Sequence, residues 1–211
     1  GNTAGPVLTV TSRKIKLTAN KIWRINVVAT DDTSQERTYS TVKYSTLKNK
    51  IYLMASDPYD GNIGTIENAT HICENIHNDT FSYLPIISVK PFISYNDTYM
   101  ISILPALFNI PENVEIAGPN GDIIANNWTE MFSGTQDLVK SLKKTDVVDG
   151  KWWSGSAATG AVKEGITCDE WSSNDYGIKG VAGKGNKVDY QWIDDNHIHC
   201  TYKKPIICIG W

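Results

Sequence analysis

Six side chains in the C-terminal half of the chain are of the types that bind ligands at protein surfaces. Three are lysines and three are aromatic residues: Lys179, Lys184, Lys187, Trp152, Tyr176 and Tyr190. Aromatic rings beside a few cations suit the recognition of carbohydrates, sulfated polysaccharides or protein surfaces. The three lysines stand near glycines, so we expect them to be exposed. We expect Trp153, Trp171 and Trp192 to lie in the core, because small disulfide-rich folds bury tryptophan.

Histidine and carboxylate patterns are weaker candidates for binding a metal. His197 and His199 alternate, so on a strand both rings would face one side, as a metal pair could. We nevertheless expect surface or structural roles for all four histidines. Asp194-Asp195-Asn196 and the pair Asp57 and Asp60 could each hold an ion, but both stand in turn-like sequences where such residues serve the backbone. The sequence therefore predicts no metal site and no cofactor.

Motifs of the common catalytic classes do not occur in the sequence. There is no Gly-x-Ser-x-Gly, no His-Glu-x-x-His and no phosphate loop. The glycine-rich segment 177–185 does not lead from a strand into a helix, so a surface loop explains it better than a phosphate cradle. We expect a protein that is not an enzyme.

Composition and charge narrow the class of protein further. The 211 residues carry a formal net charge of -3 and are 41% hydrophobic, which is enough for a well-packed core. A near-neutral chain does not predict nucleic-acid binding, which calls for a basic surface. The longest apolar run, residues 100–110, is interrupted by Ser102, Pro105 and Asn109, so no membrane span is expected.

Four cysteines bear on the compartment in which the protein works. They are Cys73, Cys168, Cys200 and Cys208, and none forms a Cys-x-x-Cys pair of the kind that binds structural zinc. An even count in a Trp-, Asn- and Gly-rich chain favours two disulfides and an oxidising compartment. The alternative is four buried free thiols in a cytosolic protein. Four cysteines allow three connectivities.

Hydrophobic spacing predicts an α+β arrangement. Short strands are expected within residues 7–11, 15–17, 22–28, 42–44 and 51–54, the last followed by a turn over 57–61. Helical spacing runs from Thr65 to His77, with Thr65 as the cap and Cys73 on the buried face. A second helix, interrupted by Gly134, is predicted from Asn127 to Leu142, with these side chains inward: Trp128, Met131, Phe132, Leu138, Val139 and Leu142. From Lys151 onward no helix is indicated.

Four segments resemble members of the C-type-lectin-like superfamily. The stretch 128–134, Trp-Thr-Glu-Met-Phe-Ser-Gly, resembles the Trp-Glu-x-Leu-Phe-Ser-Gly stretch of endostatin, the C-terminal domain of certain collagens. Residues 168–171, Cys-Asp-Glu-Trp, are similar to endostatin's Cys-x-x-Trp, and residues 200–209 to its closing Cys-x-x-x-x-Ile-x-Leu-Cys-Ile. The segment 52–73, with Gly-Asn-Ile-Gly at 61–64 before the helix and its cysteine, resembles a bacterial family of uncharacterised extracellular proteins with this fold.

The resemblance spans residues 49–209 and implies a C-type-lectin-like, endostatin-like fold with two main helices, a twisted and mostly antiparallel sheet, long loops and two disulfides. It implies the pairs Cys73–Cys208 and Cys168–Cys200, and a domain over residues 49–211 that follows an N-terminal β extension over 1–48. The calcium and sugar loop of the C-type lectins has no match here, since Gly-Pro-Asn-Gly at 118–121 is misplaced and lacks the acid. Calcium-dependent sugar binding is therefore not expected.

Together these features predict a bacterial protein that is secreted or displayed at the cell surface, in an extracellular or periplasmic compartment. It would act as a binding or adhesion module without catalysis, and its ligand would be a glycan, a sulfated polysaccharide or a host protein. Two alternatives stay open: a structural or assembly module of a larger surface protein, and a metal-dependent hydrolase on the same scaffold. Four sequons, at Asn68, Asn78, Asn96 and Asn127, would matter in a eukaryotic secreted protein.

Overall fold

The computed structural model describes residues 22–30, 36–45, 50–133 and 137–211. The chain divides into two units, Gly1–Lys48 and Asn49–Trp211. In the first unit, β1 (Ile22–Thr30) pairs antiparallel with β2 (Glu36–Ser45), and these strands include the segments 22–28 and 42–44 that the alternating pattern predicts. The strands predicted at residues 7–11 and 15–17 lie outside the described residues.

The second unit contains an eight-stranded mixed sheet with four α-helices, and its class is α+β. The strands are β3 (Ile51–Tyr59), β4 (Val89–Phe92), β5 (Ile116–Ala117), β6 (Ile123–Ala125), β7 (Lys151–Trp153), β8 (Lys179–Lys184), β9 (Asn196–His199) and β10 (Lys204–Gly210). Their order is β6-β5-β3-β10-β7-β8-β9, with β4 also pairing β10. The pairs β3–β5 and β10–β7 are parallel, and the remaining pairs are antiparallel.

Strand β10 lies at the centre of the sheet, which explains its apolar sequence. It pairs with β3 along most of its length and also with β7 and β4. Residues 206–209 are fully buried, as expected for a strand that is covered on both faces. The pairing of Lys204 with Tyr59 and of Pro205 with Pro58 extends β3 to Tyr59, so the turn predicted from Asp57 begins later than the sequence indicates.

Helix α1 (Ile66–Asp79) is the longest helix of the second unit and confirms the helix predicted from Thr65 to His77. The hydroxyl of Thr65 accepts a hydrogen bond from the backbone N–H of Asn68 and caps the first turn. Ala69 and Cys73 are fully buried, so the predicted apolar face does pack inward. The disulfide between Cys73 and Cys208 joins this helix to the central strand.

Both disulfides implied by the resemblance are present. Cys73 pairs with Cys208, 135 residues further along the chain, and Cys168 pairs with Cys200, 32 residues further along. Because a cross-link restricts the unfolded chain, loops of these lengths correspond to about 5 and about 4 kcal/mol of stabilisation in the chain-entropy account. All four cysteines are bonded, which excludes the alternative of four free thiols.

The second predicted helix is wrong over most of its length. Helix α3 covers only Trp128–Met131 and is capped by Asn127, whose side chain accepts from the N–H of Glu130. Beyond it, the N–H of Leu138 donates to the carbonyl of Val188, and the N–H of Val139 to that of Ile124. These long-range bonds replace helical ones, and the resulting backbone turns Val139 outward, with 54% of its surface exposed. Of the other residues predicted inward, Trp128, Met131, Leu138 and Leu142 are buried and Phe132 is half-buried.

Two further helices are short: α2 (Leu104–Phe108) and α4 (Cys168–Trp171). The sequence indicates no helix after Lys151, and α4 corrects that prediction. It is an unusual helical turn, because all four of its residues have positive φ angles of 51–62°. Such left-handed backbone costs about 1–2 kcal/mol per non-glycine residue. Cys168 and Trp171 are fully buried there, and the carboxylate of Glu170 accepts a hydrogen bond from Asn96, so packing and disulfide formation hold the turn.

No helix in the described ranges has both the length and the apolar character needed to cross a membrane.

Candidate functional site

The tryptophans of the C-terminal half form the core rather than a surface. Trp152 is fully buried, and its indole N–H donates to the carbonyl of Trp192 at 2.9 Å. Its ring stacks on that of Trp192, with centroids 6.0 Å apart. The prediction that Trp152 contacts a ligand is therefore wrong, because its indole packs against the rings of Trp192 and Phe92 inside the protein. The core positions predicted for Trp153, Trp171 and Trp192 are confirmed, with exposures of 0%, 0% and 3%.

The remaining candidate residues lie at two separate ends of β8. Tyr176 and Lys179 belong to its first end, whereas Lys184, Lys187 and Tyr190 belong to its last. Five residues of extended strand span about 17 Å, and an odd separation places side chains on opposite faces. The five exposed or half-exposed candidates therefore cannot form one compact site.

The first end of β8 carries a stack of aromatic rings. The ring of Tyr176 lies parallel to that of His199, with centroids 4.0 Å apart and an interplanar angle of 11°. The ring of Tyr202 lies 6.2 Å from His199, and Lys179 is the strand partner of His199 across β8 and β9. Tyr176 is 61% exposed and Tyr202 is 51% exposed. We call these four residues the Tyr176 surface.

A hydrogen bond fixes the orientation of the His199 imidazole in this surface. The Nδ1 atom of His199 lies 2.5 Å from the backbone carbonyl oxygen of Tyr176. A carbonyl oxygen only accepts, so Nδ1 carries the proton. In the neutral ring the Nε2 atom is then an acceptor, and it is the atom left to meet a ligand hydroxyl. The stack therefore combines an apolar ring face with a defined acceptor.

The loop that carries Tyr176 is held by local bonds and by the second disulfide. The side chain of Asp175 accepts from the N–H of Gly177 at 2.6 Å, and the N–H of Cys200 donates to Ile178 at 3.0 Å. Cys200 follows His199 directly and is bonded to Cys168. The N–H of Tyr202 donates to the carbonyl of His199 at 3.1 Å, which closes the turn after β9. These contacts keep the three rings together at the surface.

Lysines in the C-terminal part of the chain fall into two groups by whether they make an ion pair. Five lysines between positions 179 and 204 make no ion pair within the described part of the chain: Lys179, Lys184, Lys187, Lys203 and Lys204. In contrast, Lys151 binds Asp195 and Lys163 binds Asp194, each at 2.9 Å. A cation without a carboxylate partner is available to an anionic group of a ligand.

Three of the side chains that could have held a metal have other partners. Asp194 and Asp195 are paired with the two lysines just named, so the carboxylates predicted as a possible ion site are already neutralised. His71 contacts Glu74 on α1 at 3.2 Å. Over residues 50–133 and 137–211 we find no group of three or more His, Cys, Asp or Glu side chains arranged to hold a metal ion.

The sequence identified Tyr176 and Lys179 but not the residues that complete their surface. His199 and Tyr202 come 23 and 26 positions after Tyr176, so no local pattern links them to it. One usable signal was the position of both residues near Cys200, because the disulfide to Cys168 holds this part of the chain in place.

Comparison with known proteins does not add a family. No protein-family model matches the chain, and no curated protein is significantly similar to it in sequence. The structure by itself defines the class: an α+β unit with a mixed sheet and two disulfides, preceded by a β-hairpin.

Proposed function

We propose that this chain is a binding module of the C-type-lectin-like superfamily, in its endostatin-like branch, that recognises an extracellular glycan through the Tyr176 surface. The observation that carries the proposal is the exposed parallel stack of Tyr176 on His199, beside Tyr202. A sugar ring has an apolar C–H face and a polar rim of hydroxyls. An exposed tyrosine ring packs against the C–H face of the sugar. Nε2 of His199 accepts a hydrogen bond from a sugar hydroxyl, and the Lys179 ammonium donates one to a sugar oxygen.

The assignment to the lectin-like class is supported by where the matched motifs lie. The first cysteine, Cys73, lies within α1 and joins this helix to the last strand. The Cys-x-x-Trp segment forms α4, from which the second disulfide holds the loop region. Two disulfides are compatible with an oxidising extracellular compartment. We extend the proposal to a secreted or surface-exposed protein of bacterial origin.

An anionic glycan, such as a sulfated polysaccharide, is the favoured ligand within this class. Lys179 is exposed and makes no ion pair among the described residues, and Lys203 follows Tyr202 directly. Sulfate and carboxylate groups would supply the missing partners through charge-assisted hydrogen bonds. We propose binding without catalysis, because an aromatic stack with an ammonium group holds a sugar but supplies no nucleophile with its base.

The test is an array of neutral and acidic oligosaccharides, including sulfated glycosaminoglycans, followed by calorimetry on each glycan that binds. Tyr176→Ala should weaken binding by roughly tenfold to thirtyfold, as central aromatic contacts do. Tyr190→Ala is the matched control, since Tyr190 is equally exposed at 62% but lies at the other end of β8. Lys179→Met should reduce the dependence of affinity on salt, because it removes one screened charge contact.

Two results would count against this function. The first is the absence of any bound glycan on the array when the protein is folded and both disulfides are intact. The second is an equal loss of binding in Tyr176→Ala and Tyr190→Ala, which would place the glycan elsewhere. Mass analysis of the glycan after incubation tests the proposed absence of catalysis, and shortened products would show that the module is catalytic.

A further inference from the structure

An open cavity of about 360 Å³ lies beside α1 and shares no residue with the Tyr176 surface. Its apolar part is formed by Ile66, Tyr99 and Phe108, and its charged rim by Glu67, His71 and Lys90. We call it the α1 cavity. Ligand pockets in proteins start at about 300 Å³, so this volume suits one aromatic or branched apolar group.

The hydroxyl groups that line the α1 cavity are already used inside the protein. The Thr70 hydroxyl donates to the carbonyl of Ile66 at 2.8 Å. The Tyr99 hydroxyl donates to the carbonyl of Pro91 at 3.1 Å, and Tyr99 is almost fully buried. Neither hydroxyl needs a ligand as its partner, so the interior of the cavity favours an apolar group.

The two carboxylates near the cavity also have partners. Glu74 contacts His71 at 3.2 Å on the surface of α1. Glu67 stands in the first turn of α1, where hydrogen bonds from its own backbone N–H and from the Thr65 hydroxyl lower the pKa of its carboxyl group. The helix N-terminus stabilises this negative charge, and Glu67 makes no ion pair with Lys90 in the described ranges.

Lys90 is the group at the rim whose charge has no counterpart. It extends from β4, and its ammonium lies 5.3 Å from the centre of the Phe108 ring. Its side chain makes no ion pair with any carboxylate in the described ranges. A half-buried cation above an aromatic ring, next to an apolar cavity, is complementary to an anion with an apolar body.

We propose that the α1 cavity binds an apolar carboxylate, with its aromatic or branched body against Ile66, Tyr99 and Phe108 and its carboxylate on the ammonium of Lys90. Such a group occurs in free small acids and at the C-terminus of a peptide that ends in an apolar residue. A second cavity, of about 320 Å³ and with a more polar lining, also borders Lys90 and includes Glu74, His77 and Ser88. The preceding backbone of a peptide would lie there.

The experiment compares N-acetylphenylalanine with N-acetylphenylalanine amide, two probes of the same shape that differ in charge. Binding is followed on the full chain, with both disulfides intact, by ligand-observed and protein-observed NMR. The acid should bind at least about tenfold more tightly than the amide, because a hydrogen bond to a charged group is the stronger kind. A capped triglycyl-phenylalanine acid identifies the source: tighter binding than the single residue indicates a peptide C-terminus, and equal binding indicates a small acid.

Variants of Lys90 and Lys144 distinguish the loss of the contact with the ligand carboxylate from the loss of the folded structure. Lys90→Met keeps the aliphatic stem and should make acid and amide bind equally, while Lys90→Arg should keep the preference. Lys144→Met is the control, since Lys144 is another lysine without an ion pair in the described ranges and lies outside the cavity. The proposal is overturned if neither probe binds, if the wild type binds both equally, or if Lys90→Met still prefers the acid. None of these results depends on glycan binding at the Tyr176 surface.

Discussion

Replacing Trp152 tests whether this residue belongs to the core or to a ligand surface. Its side chain is fully buried, stacks on Trp192 and lies 6.1 Å from the ring of Phe92. Trp152→Ala removes the indole and leaves a cavity between β7 and these rings. Large-to-small changes of this kind cost about 3–5 kcal/mol. In contrast, Tyr190→Ala removes a 62% exposed ring and should change the free energy of unfolding by less than about 0.5 kcal/mol.

A second substitution measures the polar part of the same contact. Trp152→Phe retains most of the apolar contact but removes the N–H that donates to the carbonyl of Trp192 at 2.9 Å. That carbonyl would lose its indole donor inside a buried aromatic cluster, and such a loss costs about 1–3 kcal/mol. If Trp152→Ala does not fold, Trp152→Phe still reports on the burial of the indole.

The assay is urea unfolding followed by far-ultraviolet circular dichroism under non-reducing conditions. The midpoint and slope give the free energy of unfolding for each variant. If Trp152→Ala lay within about 1 kcal/mol of the wild type, the indole would not be in the core and this reasoning would be refuted. The same would hold if Tyr190→Ala were the more damaging change.

Two further predictions concern packing and pH. A Cβ atom on Gly183 would collide with the carbonyl oxygen of Trp192 and lie 2.6 Å from Nε1 of Trp152, so Gly183→Ala should lower the free energy of unfolding by about 1–3 kcal/mol. Gly150→Ala, where the space is open, should change it by less than about 0.5 kcal/mol in the same urea assay; equal effects would contradict the packing argument. Burial raises the pKa of Tyr95 and of Tyr99 above the ordinary value of 10.0. Glu67 makes a smaller contribution at Tyr95, and Tyr95 makes a smaller contribution at Tyr99. The unfolded chain therefore loses these protons near pH 10 while the folded chain keeps them, so stability should fall as pH rises above 10; ultraviolet titration showing both phenols ionising near pH 10 in the native protein would contradict this.

Local sequence signals predicted the elements that depend on neighbours along the chain. Helix α1 shows helical spacing of apolar residues together with a capping threonine, and both act over a few positions. The segment after Asn127 shows similar spacing, but the helix ends at Met131. There the backbone of Leu138 and Val139 binds residues 188 and 124, and both partners lie outside the segment 127–142 whose spacing predicted the helix.

In the candidate site, too, some features follow from local sequence and others only from long-range contacts. The sequence alone determined that the chain is α+β, that its four cysteines favour two disulfides, and that aromatic and lysine side chains crowd its second half, because these follow from residue type and short-range spacing. The tertiary structure alone decided which of those side chains meet. It packed the rings of Phe92 and Trp192 against Trp152, which buries the indole, and it paired β9 with β8, which brings His199 onto Tyr176. Burial and stacking depend on contacts between residues distant in sequence, so they exist only once the sheet has formed.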